Sequence, residues 1–175
     1  MAQRQEKRQQ KLPKNLVVDS SSLIALERAD LIKFLDKINC IIFISTSIKE
    51  EVSNEKILKF CKVQELRGRT LKLSKSLENL GIDKGEAQCC ALAIKLKSGF
   101  IICDDRKFIR QRFFLNNKKV MNIKVLGFSF FLHIFYKKRL IKNVWEYFDK
   151  VIRLNNWERS EVQVSNYTFL KEMGY

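Results

Sequence analysis

Asp19 follows the apolar run NLVV, Glu51 sits in SIKEEV, Glu86 in DKGEAQ, and Asp104 and Asp105 follow FIIC. They belong to a chain with 19 Asp plus Glu against 34 Lys plus Arg and a net charge of +15. Gathering such acids has a cost, because neighbouring carboxylates repel and raise one another's pKa. A hard dication that prefers oxygen ligands, Mg²⁺ or Mn²⁺, removes that cost. One or two such ions activate a water and stabilise charge developing on a phosphate. The basic remainder of the chain attracts a polyanion by steering and counterion release. Together these features predict a metal-dependent nuclease.

The acids need elements that carry them to one place. Leu16, Val17 and Val18 predict a short strand ending at Asp19, and any of Ser20, Ser21 and Ser22 suits the cap of a following helix through Leu23, Ile24 and Leu26. Leu31, Ile32, Leu35 and Ile38 recur at helical spacing. Ile41 to Ile44 predicts a second strand, after which Ser45 or Thr46 opens a helix bearing Glu50, Glu51 and Val52. Ile57, Leu58, Phe60, Cys61 and Leu66 suit a helix, and Leu71 with Leu73 a short strand. Asp83 to Lys97 predicts a helix that is apolar on most faces, hence buried, with Glu86 in its first turn. A buried strand, Phe100 to Cys103, delivers Asp104 and Asp105 to a helix through Phe113; Ile123 to Val125 gives a last strand before a helical remainder.

Strands alternating with helices imply parallel βαβ units in a three-layer α/β/α sandwich with a short parallel sheet. Sites in such sheets form at the carboxyl ends of strands, where Asp19 and the Asp104–Asp105 pair stand. Their convergence requires strands 15–18 and 100–103 to be close neighbours. Glu50 and Asp83 are better read as helix-start charges interacting with macrodipoles.

Length and composition narrow the class. The 175 residues, 46% apolar, suit one domain over 15–175, with a core over about 15–126 and a helical extension over about 127–175. Residues 1–14, basic and Gln-rich up to Pro13, predict a disordered cationic arm. Five cysteines without a CxxC pair argue against a disulfide framework or a structural zinc site, and for a reducing, cytoplasmic setting. The near-apolar run from Val125 to Tyr136 is too short to span a bilayer.

The runs LVVDSSSLIAL, ISTSIKEEV, GEAQCCALA and IICDDRKF, in this order and spacing, resemble the four acidic motifs of PIN-domain ribonucleases. The likeness is to prokaryotic members with a GEAE-like third motif, relatives of VapC-type toxins, and covers about residues 15–126. It implies a PIN-like fold with C-terminal helices and a Mg²⁺- or Mn²⁺-dependent endoribonuclease. Asp19, Glu51, Glu86 and Asp105 would be catalytic, Asp19, Glu86, Asp104 and Asp105 would bind metal, and Ser21 would be the small polar residue beside the first acid. Glu51, directly before Val52, fits the second motif better than Glu50 does. The resemblance also implies an RNA substrate, an antitoxin partner for toxin members, and homodimers. Two positions depart from the family pattern: Gln88 replaces the second acid of GEAE, and Gly127-Phe128 stands where Gly-Thr is expected.

Other residues have plainer readings. Arg106, Lys107, Arg110 and Arg112 follow the fourth acidic motif and predict phosphate contacts. Lys118-Lys119 and Lys137-Lys138-Arg139 read equally as solvated turns. His133, the one histidine, and the Phe128, Phe130, Phe131, Phe135 and Tyr136 stripe suit core or dimer packing rather than catalysis or base stacking. A catalytically silent PIN-fold module that binds nucleic acid or protein is the competing function. A phosphotransferase using Asp19 as nucleophile would show an acid two residues on, where Ser21 stands, and no Gly-containing turn marks a helix-turn-helix among the C-terminal helices.

Overall fold

The computed structural model describes residues 13–111 and 118–175. Five parallel strands form one sheet: β1 (Asn15–Val18), β2 (Ile41–Ile44), β3 (Cys61–Val63), β4 (Phe100–Ile102) and β5 (Lys124–Leu126). Their order is β3-β2-β1-β4-β5. Successive residues of a strand face opposite sides of its sheet. Leu16, Val17 and Val18 of β1 are all fully buried, so both faces of the central strand are covered. The result is a three-layer α/β/α sandwich.

The helices are α1 (Ser20–Arg28), α2 (Thr46–Val52), α3 (Glu55–Leu58), α4 (Arg69–Asn79), α5 (Lys84–Lys95), α6 (Arg106–Gln111), α7 (Lys118–Met121), α8 (Ser129–Lys137), α9 (Val144–Leu154) and α10 (Glu161–Glu172). A 3-10 helix spans Ile32–Lys37, where the apolar spacing predicts a helix. Helix α5 is the innermost: Ala87 through Ala93 are buried without a break, and it packs on β1, β4, α2 and α4. Helix α8 packs between α9 and α10, with Phe128, Phe130, Phe131 and Phe135 buried. Tyr136, at the end of that stripe, is exposed.

One stretch differs from its sequence pattern. Cys61–Val63, read as helix, is the edge strand β3, and Leu71 with Leu73, read as strand, lies in α4. Helix α4 buries Ser74 and Leu77 against α5 while Leu71 is exposed, so the alternation of leucines is incidental to its packing face. The helix predicted through Phe113 is described from Arg106 to Gln111, and Phe113 lies outside the described residues. The arm read at 1–14 also lies outside them, except Pro13 and Lys14.

The chain order places the site. From β1 the sheet grows one way through β2 and β3, then returns to the other side of β1 for β4 and β5. The carboxyl ends of β1 and β4 therefore flank the topological switch point, where crossovers leave in opposite directions and open a crevice. Val17 pairs with Ile101 and Val18 with Ile102, so Asp19 and Cys103 come next on adjacent strands. The Asp19 N–H continues the ladder to the Ile102 carbonyl at 2.8 Å.

Candidate active site

A cleft of about 520 Å³ opens at this switch point, lined by Asp19, Glu51, Glu86, Asp104 and Asp105 together with Ser20, Ser21, Ser47, Asp83, Lys84, Gly85, Trp157 and Val162. All five acids singled out in the sequence, and Ser21, thus meet in one place. That volume lies within the usual range of small-ligand clefts.

Each acid is fixed differently. Asp19, 5% exposed, caps α1: its Oδ2 accepts the Ser21 N–H at 3.1 Å and the Ser21 hydroxyl at 2.7 Å. The sequence offers three serines as the cap, but the helix begins at Ser20 and the aspartate takes that role. Burial pushes the Asp19 carboxyl upward against the pull of the Ser21 bonds, and the Glu51 charge adds to the rise. Glu51 reaches the cleft from the end of α2 and accepts the Ser20 hydroxyl at 2.5 Å. Helix α2 is held by Ser45, which caps it through the Ile48 N–H, and by buried Gln88, which accepts the Ser47 N–H at 3.3 Å. Gln88 thus ties α5 to the start of the helix that carries Glu51.

Glu86, half-buried in the first turn of α5, is pushed up to about 7 by burial, with repulsion from Asp19, Asp105 and Asp83 adding. Gly85 lets α5 come close: a Cβ there would stand 3.1 Å from Glu51 Oε1 and 3.2 Å from Ile48 Cδ1. Asp105 caps α6, its Oδ1 accepting the Phe108 N–H at 2.7 Å. Asp83 precedes α5 without a side-chain cap bond and instead faces Lys107 at 3.7 Å. Glu50 is exposed and does not line the cleft, and it stands in the last turn of α2 rather than at a helix start, because the helix opens at Thr46.

Asp104 is the most enclosed acid, at 4% exposure. Its Oδ2 accepts the Ser22 hydroxyl at 2.6 Å, and the Phe128 N–H lies 3.0 and 3.2 Å from its two oxygens. Asn166 Nδ2 donates to Oδ1 at 2.8 Å. Burial lifts Asp104 to about 6 even against these three donors. Asn166 in turn accepts the Ser129 N–H at 3.0 Å and the Ser129 hydroxyl at 2.6 Å. Gly127 is required here, since a Cβ would fall 2.2 Å from Asn166 Oδ1 and 2.5 Å from Asp104 Oδ1. The Gly127-Phe128 departure noted in the sequence therefore sits directly on Asp104.

The sequence reading missed Trp157 and Val162, which bring the helical extension to the cleft wall, and Asn166, which bonds Asp104 from α10. One signal for Asn166 was available. It lies between Val162 and Leu170 at spacings of four, a polar residue on the helix face that turns inward. Cys103, counted in the sequence only among five cysteines without a CxxC pair, also comes to the site. The residue is buried, but its Sγ belongs with carboxylate oxygens of Asp19 and Glu86 to a set of atoms all within 4.8 Å of one another.

The basic residues proposed for phosphate contacts divide. Lys107 faces Asp83, and Arg110 Nη1 meets Glu161 Oε1 at 2.9 Å. Arg112 lies outside the described residues, as does the side chain of Arg106. His133 is not in the cleft lining: its Nδ1 lies 2.9 Å from the Tyr175 hydroxyl, its ring packs edge-on against Phe169, and burial lowers its pKa. The five cysteines are free, and no helix among the described residues is long and apolar enough to cross a membrane.

An α/β sandwich whose acids converge at the β1–β4 switch point is the arrangement that the four sequence motifs imply. The DUF3368 family model, a PIN domain, matches residues 15–171. The chain belongs to this PIN-domain family. Its fold is thus a nuclease fold, and the match extends through the C-terminal helices that supply Asn166. No curated protein and no solved structure matches the chain.

Proposed function

We propose that this PIN domain is a metal-dependent endoribonuclease of the cytoplasm, acting as a single domain over residues 15–175. The observation that carries the reading is the gathering of Asp19, Glu51, Glu86, Asp104 and Asp105 around one cleft of a chain whose net charge is +15. The donor set fits a hard dication. Asp19 and Glu86 are both displaced upward by burial, so each gains from a cation that restores its charged form. Asp19, Glu86 and Asp105 would hold Mg²⁺ or Mn²⁺, with Glu51 beside them. Asp104 contributes its charge from beneath, because its oxygens already receive Ser22, Phe128 and Asn166. When bound, the cation would supply Lewis-acid activation and neutralise charge on a phosphate.

The chain's own groups account for substrate placement. Lys84 lines the cleft, and the Lys107 and Arg110 pairs are exposed, so an incoming phosphate competes on even terms for those cations. Trp157 and Val162 give one wall apolar character suited to a base or ribose.

The test is cleavage of mixed single-stranded and structured RNA with Mn²⁺, Mg²⁺ or EDTA, by the wild type and Asp105→Asn. Metal-dependent cutting lost in the variant is the expected result. RNA binding without turnover in every condition would overturn it and favour a silent binding module. The finer reading, a toxin neutralised by an antitoxin, predicts growth arrest on induction that Asp19→Asn abolishes. The homodimer that the family likeness suggests is checked by light scattering.

A further inference from the structure

We propose that Cys103 Sγ is a further donor to the cation held by Asp19, Glu86 and Asp105, so that the site binds a thiophilic dication such as Zn²⁺ more tightly than its oxygen ligands alone would. This rests on the metal reading above and adds a sulfur ligand to it. The backbone places the sulfur. Asp19 and Cys103 follow the register pair Val18–Ile102 on neighbouring strands, and two ladder bonds of 2.8 Å, Asp19 N–H to Ile102 and Cys103 N–H to Leu126, fix both residues. Glu86 enters from α5 above them. Among the described residues, one carboxylate oxygen each from Asp19 and Glu86 and the Cys103 Sγ form a three-donor set within 4.8 Å of one another.

Donors sharing a tetrahedral zinc ion stand roughly 3.5 Å apart, given bonds of about 2.0 to 2.3 Å. Asp19 is held by Ser21, and Cys103 is 1% exposed with its sulfur accepting the Asp105 N–H at 3.4 Å. Glu86 is the half-buried, long side chain of the set and provides the closing movement. Bond formation at sulfur releases the thiol proton to solvent. A purely oxygen site suits Mg²⁺, whereas one sulfur among the ligands shifts preference toward Zn²⁺. Cys89 and Cys90 are buried as deeply but belong to no such donor set among the described residues, so burial alone does not explain the placement of Cys103.

The test is titration of the metal-free full chain with Co²⁺, a spectroscopic stand-in for Zn²⁺. The wild type should show a near-ultraviolet thiolate-to-cobalt charge-transfer band, which Cys103→Ala and Cys103→Ser lose while keeping weaker d–d absorption. In parallel, Zn²⁺ competition against bound Mn²⁺ should show the wild-type preference for Zn²⁺ falling on the order of tenfold in either variant. If neither variant folds, Glu86→Gln keeps the thiol and should move the cobalt dependence of the band to higher concentration by on the order of tenfold. A band that does not move places the thiolate at another cysteine and overturns the proposal. Cobalt bound with d–d absorption but no charge-transfer band also overturns it and leaves the oxygen-ligated metal reading intact. Failure of Co²⁺, Mn²⁺ and Zn²⁺ to bind at all sinks the metal reading itself and this inference with it.

Discussion

Two sets of carboxylates lie side by side at the carboxyl end of the sheet, and their neighbours hold them to different extents. Asp104 is enclosed by neutral donors: a serine hydroxyl, a backbone N–H and an asparagine amide all point at it. Asp19 accepts from Ser21 while burial and the Glu51 charge lift it, and Glu86 is lifted by burial with Asp19 and Asp105 repelling it. A buried polar group is tolerated when its partners are supplied internally and is costly when they are not. The Asp104 region has the form of a structural joint tying α1, α8 and α10 to β4. The neighbouring pocket, with fewer such donors, has the form of the cation site proposed above. Similar residue types a few ångströms apart thus differ in role because of what donates to them.

Substitutions should separate the two regions. Asp104→Ala has the largest expected effect: it strands the Ser22, Phe128 and Asn166 donors and should cost about 3 kcal/mol or more in urea unfolding. An unchanged midpoint would remove the distinction. Glu86→Gln and Asp105→Asn should reverse that profile, with RNA cleavage falling at least about a hundredfold and little loss of stability. Gly127→Ala, whose Cβ would press on Asn166 and Asp104, should cost about 2 kcal/mol by thermal unfolding, and the clash is with the joint rather than the pocket.

The pH response sharpens the contrast. Glu86 stands at about 7 against an ordinary value of 4.5, so the folded chain takes up its proton more readily than the unfolded chain. Between those values its contribution to metal-free stability falls as pH rises. Glu86→Gln should remove that part of the slope, as measured by unfolding midpoints across the range. Smallest of all, Glu161→Ala breaks an exposed pair with Arg110 and should change stability by about 0.5 kcal/mol or less. A larger change would mean that α10 is held at the cleft by charge rather than by the Asn166 joint.

What the sequence made legible follows the strength of its local patterns. Strands β1, β2 and β4 are apolar runs with an acid or a serine within two residues of their ends, so their type and the residues at their ends could be read. Helix α5 was readable because its apolar residues continue almost all round. Strand β3 was not: it is three residues long at the sheet edge, with Lys62 and Val63 exposed, and carries no period. The leucine alternation in α4 imitated a strand because the helix buries so little of itself. Convergence of the acids could be stated only as a condition on strand order, since adjacency of β1 and β4 is a long-range property. Asn166 was hidden for a related reason, standing 62 positions from its partner Asp104.

That separation has a kinetic consequence. The bonds that complete the Asp104 joint bridge 82 residues to Ser22 and 62 to Asn166. Long loops must close before such contacts return any free energy, and chains dominated by them fold slowly. In refolding, β1, β4 and α5 can assemble their apolar faces first, while the carboxylate waits for α10 to dock. Recovery of the native cleft should therefore trail recovery of helix content, and Asn166→Ala should slow the trailing phase more than the leading one.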